Sequence, residues 1–154
     1  MSTAHNVLHR NAQSAEKTPR RVEPAASAVA RNVSEVAGRV LLASLFLVSG
    51  VGKISAYAAT AGYMNAAGVP AALLPLVIVT EVLGGLAIIV GWQTRVTALL
   101  LAGFTLLSAL LFHNSFADQI QTVMFLKNVS ITGGFLLLAA NGAGPLSVDG
   151  RTRR

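Results

Sequence analysis

Cysteine is absent from the 154 residues, which excludes disulfides, thiolate zinc sites, cysteine-ligated iron–sulfur clusters and CxxC redox chemistry together. No GxGxxG run is present to hold a flavin or nicotinamide, so electrons in any redox reaction would have to come from a partner. Charge is also scarce, at 12% of residues where soluble domains carry about 25%. Aromatic residues make up 6% and the apolar residues 53%, with a mean hydropathy of +0.62. Lipid is the solvent that suits such a chain, and its length suits one compact membrane domain. The net charge of +6 and pI near 10.9 would suggest nucleic acid in a soluble protein, but the distribution of the charge argues against it. Arg10, Lys17, Arg20, Arg21 and Arg31 precede the first apolar run, Arg39 stands at its threshold, and Arg151, Arg153 and Arg154 close the sequence. Bases at the ends of a membrane domain meet anionic lipid headgroups, for about 1 kcal/mol each.

A helical span needs roughly 20 largely apolar residues, and four stretches qualify. The expectation is an all-α, polytopic bundle of four transmembrane helices at about 32–54, 73–92, 95–113 and 120–141. Asn32 with Glu35 resembles a helix-starting box, Pro75 falls in a first turn where proline is tolerated, and Asn141-Gly142 with Pro145 ends the fourth run. Residues 1–31 read as a disordered basic tail and 143–154 as a second basic tail. Val40 to Ser49 could serve as the apolar part of a signal peptide, but a leader of nearly forty residues, no prompt A-x-A site and three later spans favour a retained helix. His5, His9 and Arg10 could touch a metal or RNA, or simply be solvated.

Orientation follows from Lys and Arg near the span ends. Both basic tails and the turn Gly91-Trp92-Gln93-Thr94-Arg95 fall on one side, whereas loops 55–72 and 113–119 hold no Lys or Arg. The bases predict a bacterial cytoplasmic (inner) membrane protein with both termini in the cytoplasm. Loop 55–72, with Tyr57, Tyr63 and Met64, reads either as an interfacial anchor or as a cover over a polar pocket.

Ionisable groups inside spans carry the most information, because each costs roughly 2.5–3.5 kcal/mol at mid-helix. On the expected topology Lys53, Glu81, His113 and Lys127-Asn128 all fall in the outer half of the bilayer. One carboxylate and two ammonium groups at similar depth neutralise each other by facing the bundle interior, with Lys127 the first expected partner of Glu81 and Lys53 the alternative. Small residues accompany each charge: Ser49 and Gly50 before Lys53, Gly84 and Gly85 after Glu81, Ser130 and Gly134 after Lys127. Three readings stay open at this point, namely a structural clasp, a ligand or proton site, and a Lys53 that snorkels to the headgroups.

Gly38-Arg39 through Phe46, Ser49-Gly50-Val-Gly-Lys53, Gly68-Val-Pro70, Glu81-x-x-Gly84-Gly85, Gly91-x-x-Thr94-Arg95, Phe112-His113, Lys127-Asn128, Gly133-Gly134 and the ending Gly142 to Asp149 together resemble the DoxX family of small bacterial inner-membrane proteins. The resemblance covers about Gly38 to Arg151. It implies a four-helix membrane protein associated with an oxidoreductase system, in settings that include quinone-linked sulfur oxidation and thiol or oxidative stress. The family positions matched by polar residues are Lys53, Glu81, His113, Lys127 and Asn128, without assigned roles.

Two functional classes follow. In one, the polar cluster binds a quinone or another small redox ligand, with a lysine donating to an oxygen and Glu81 or His113 exchanging a proton, in a subunit that has no cofactor motif of its own and works with a partner redox protein. His113 is the only histidine of the bundle, so bis-histidine haem cannot form within one protomer. In the other, the protein is a membrane anchor or assembly subunit and the cluster holds its helices in register. Transport of a proton or small solute is a third reading, and it would need a homo-oligomer to make room for a pathway.

Overall fold

The computed structural model describes residues 25–152. The tail expected at 1–31, with His5, His9 and Arg10, falls outside the described residues up to position 24. Its remainder is helical, because α1 runs Ala25–Ser55. The helix therefore starts seven residues before the expected 32, and Asn32 lies in its interior rather than at its start, with Oδ1 buried and lacking a partner among the described residues. Ala25, Ala26, Ala28 and Ala30 explain the early start, since alanine is the strongest helix former. At about 1.5 Å per residue, 31 residues reach well beyond a ~30 Å core.

The remaining elements are α2 (Tyr57–Ala66), a 3₁₀ turn (Ala71–Leu73), α3 (Leu74–Val90), α4 (Thr94–Phe112), α5 (Gln119–Asn141) and a short α6 (Val148–Thr152). Among the described residues four helices are long and apolar enough to cross a membrane: α1, the turn joined to α3, α4 and α5. Pro75 sits in the first turn of α3, where its missing N–H costs nothing. Asp118 caps α5, accepting from the backbone N–H of Ile120 at 2.7 Å and of Gln121 at 3.4 Å.

Helix α1 packs on α3 and α4 packs on α5. Close approach in the first pair depends on glycine: a Cβ at Gly50 would stand 2.7 Å from Val82 Cγ2, and one at Gly85 3.0 Å from Leu47 Cδ2. The two pairs meet over Ala43, Phe46, Ile88, Ala98, Leu101, Ala102, Phe135 and Ala139. Phe46 packs edge-on against Phe135, with centroids 5.3 Å apart. Many large apolar side chains, Leu76, Leu100 and Leu137 among them, point outward, as lipid contact requires.

One end of this bundle is closed by the segment after α5. Arg39 is only 2% exposed; its Nη1 donates to Ile89 O at 3.1 Å and its Nη2 to Leu146 O at 2.6 Å. The α3–α4 turn needs Gly91, at φ 70°, because a Cβ there would collide with Arg39 Nη1 and Ser147 Cβ. Asp149 supplies the cap that Gln93 does not: its Oδ1 accepts from Gln93 N–H and its Oδ2 from Thr94 N–H, each at 2.8 Å. Residues 143–152, expected as a basic tail, are thus a folded part of the bundle at this end. Arg39 is an internal clamp rather than a headgroup contact.

Candidate functional site

The opposite end is hollow. A cavity of about 460 Å³ lies between the two helix pairs, within the range of small-molecule sites, and Lys53, Glu81, His113, Lys127 and Asn128 all line it. Phe46, Phe104 and Thr105 contribute from the core side.

Glu81 comes from the second turn of α3 and is 5% exposed. Lys53, in the last turn of α1, approaches it with Nζ 2.8 Å from Oε1 and 2.9 Å from Oε2. Ser49, one turn earlier, accepts from Lys53 Nζ at 2.6 Å and donates to Glu81 Oε1 at 3.2 Å. The glycine contacts described above bring α1 and α3 close enough for this triad, which satisfies both carboxylate oxygens. A charge pair removed from water needs that completeness to be tolerated. Lys53 retains 24% side-chain exposure, on the cavity side of the pair.

Lys127 is not the partner of Glu81, in correction of the first expectation. It stands on α5, which packs on α4, whereas Glu81 faces α1. Its Nζ contacts Met124 Sδ at 3.4 Å and forms no ion pair among the described residues. Depth alone could place these charges at one level, but the rotation of each helix selects the pair. Lys53 accordingly does not snorkel away from the bundle, since its ammonium is spent on Glu81 and Ser49.

His113 ends α4, and its Nδ1 lies 2.8 Å from Gln121 Oε1 on α5. With that oxygen as acceptor, Nδ1 carries the hydrogen and Nε2 is the basic nitrogen. Gln121 was not singled out from the sequence; its signal was its place in the first turn of the fourth span, opposite the end of the third.

Loop 55–72 contains α2, which contributes Thr60, Tyr63 and Met64 to the cavity. Tyr63 stacks on Phe112 with centroids 5.4 Å apart, and Met64 is buried. Of the two readings of this loop, the cover is the one that describes its position. The side wall contains Leu73, Leu76, Leu107 and Leu111, each between 42% and 63% exposed and each lining the cavity. These leucines therefore belong both to the cavity wall and to the outer surface of the bundle.

Four spanning helices, outward apolar side chains and charged groups gathered in a cavity at one end define a polytopic helical membrane protein with an internal polar site. The chain belongs to the DoxX family, whose model, described as DoxX, matches residues 35–114. It is 53% identical over 118 residues to inner membrane protein YqjF of Escherichia coli strain K12, covering 77% of this chain and 91% of that one. It is 35% identical over 129 residues to inner membrane protein YphA of the same organism, covering 79% and 92%. No solved structure matches. The relatives and the four apolar helices make this a multi-pass protein of the bacterial inner membrane. The family match contains Lys53, Glu81 and His113 and ends before Lys127 and Asn128.

Proposed function

We propose that the protein is a membrane subunit of an oxidoreductase system that binds a quinone-type or other small redox ligand in the cavity of the Lys53 end. One observation supports this reading above others: five polar residues from four helices line a single cavity whose side wall is built of leucines that also reach the outer surface. A lipid-soluble ligand entering between α3 and α4 would lay its apolar part among Leu73, Leu76, Leu107 and Leu111. The head would then reach donors that the Lys53–Glu81 pair leaves available, namely Lys127 Nζ and the Asn128 amide. Quinone reduction takes two electrons and two protons, and a partner redox protein supplies the electrons in this proposal. His113 Nε2 is placed to hold a proton at the cavity edge, and the Gln121 contact fixes the ring.

In this reading the Arg39 end faces the cytoplasm, with its bases against anionic headgroups, and the cavity lies in the outer half of the membrane. A reporter fused after Arg95 should read cytoplasmic and one near Asn65 periplasmic.

A second reading, a non-catalytic anchor, is favoured by the completeness of the Lys53–Glu81–Ser49 triad, in which the carboxylate has both oxygens engaged in holding α1 to α3. Ligand-induced thermal stabilisation by a short-chain quinone separates the two. The quinone should stabilise the wild type, and His113→Gln should weaken that stabilisation while leaving a folded protein. Absence of stabilisation would leave the anchor.

A further inference from the structure

The charges of the cavity do not balance. Its lining holds Glu81 as the one carboxylate and Lys53 and Lys127 as ammonium groups. Lys53 consumes the carboxylate through two short contacts, and Ser49 fills the remaining donor site of the triad. Lys127 is left with a thioether, a weak acceptor, as its recorded partner. The other titratable groups on the lining are His113 and Tyr63, and neither is an anion in its ordinary neutral form. The side-chain amide of Asn128, the next residue, makes no hydrogen bond among the described residues, although its backbone oxygen accepts from Thr132.

Lys127 stands eight residues after the start of α5, or about 12 Å along the helix. An ammonium without an anionic partner at that depth is costly. By contrast Arg39 is held by three carbonyls, and Lys53 by a carboxylate and a hydroxyl. An ammonium and a free amide side by side, at the head of an apolar wall that reaches the outer surface, are complementary to one class of molecule.

We propose that Lys127 and Asn128 receive the oxyanion head of an acidic amphiphile, whose apolar tail lies along Leu73, Leu76, Leu107 and Leu111. This inference rests on reading the cavity as a site for a ligand from the lipid phase, and it adds that the ligand is an anion. A carboxylate and a phosphate monoester share the required chemistry.

Four probes of matched role distinguish the outcomes in an uncharged detergent: laurate, dodecyl phosphate, dodecanol and a neutral short-chain quinone, each titrated while thermal stability is followed. Laurate or dodecyl phosphate should stabilise the wild type where dodecanol does not, and the better of the two identifies the headgroup. Lys127→Met should weaken that binding at least tenfold, and Lys127→Arg should restore most of it. Because Lys127 is exposed and its ammonium has only the Met124 sulfur as a hydrogen-bond partner among the described residues, both variants should fold as the wild type does. Equal stabilisation by dodecanol, or full anion binding by Lys127→Met, would overturn the proposal. Stabilisation by the quinone alone would overturn it too, while leaving the proposed function intact. Failure of all four probes would remove both.

Discussion

The two ends of this bundle handle buried charge in opposite ways. At the Arg39 end a guanidinium donates to the backbone carbonyls of Glu35, Ile89 and Leu146, with the carboxylates of Glu35 and Asp149 near enough to act on its charge, and Gly91 leaves no room for even a methyl group beside it. At the Lys53 end an ammonium is matched to a carboxylate, and beyond that pair lies a cavity of about 460 Å³ containing a second, unmatched ammonium. A cation fully satisfied by backbone oxygens in a packed setting is a structural fastening. One left with a thioether at the edge of a void is a poor fastening, and its position makes sense when something else fills the void.

This contrast can be broken most severely at the packed end. Arg39→Met would leave the carbonyls of Ile89 and Leu146 without their donors, and a loss of about 3 kcal/mol or more is expected in detergent unfolding. Release of residues 143–152 should accompany it, read as faster proteolysis after Leu146. Asp149→Ala, which removes only the cap of α4, should cost about 1 kcal/mol. Ligand binding at the far cavity should survive both; its loss would show that the ends are not independent.

At the hollow end, Glu81→Gln should cost about 2 kcal/mol. That is less than a fully buried broken pair, because Lys53 can turn toward the cavity. Adding Lys53→Met should recover part of this loss, whereas adding Lys127→Met should be simply additive. Recovery by Lys127→Met would restore the pairing that the helix rotations contradict.

A small effect on stability, comparable to that of Asp149→Ala, is expected at the cover. Tyr63→Ala should cost about 0.5–1.5 kcal/mol through the lost stacking on Phe112. Its larger signature should be kinetic, since a bound ligand ought to exchange faster when α2 no longer rests on α4. An unchanged exchange rate would mean that ligands pass only between α3 and α4.

The four spans were legible because length and apolarity alone decide them, and so was the gathering of five polar positions at one end, since depth follows from counting along helices that alternate in direction. Which charges pair was not legible. Pairing depends on helix rotation and on α1 being the neighbour of α3, and the latter rests on contacts such as Gly50 against Val82. The Arg39 clamp was hidden for a different reason. Asp149 caps a helix that starts 55 residues earlier in the chain, and such non-local capping leaves no pattern of the kind a Ser or Asp directly before a helix does. Arg39, Gly91, Thr94 and Asp149 were among the positions carrying the family resemblance, and that was the available signal for them.

The clamp joins positions 107 residues apart in sequence, with Arg39 on the first span and Leu146 beyond the last. Contacts of such separation form late, because loop closure must precede them. The α1–α3 pair, stitched by Lys53 and Glu81, already offers Arg39 the carbonyls of Glu35 and Ile89, but Nη2 gains its acceptor only when residue 146 has emerged. The guanidinium is therefore completed by the last segment of the chain, after every span has been synthesised.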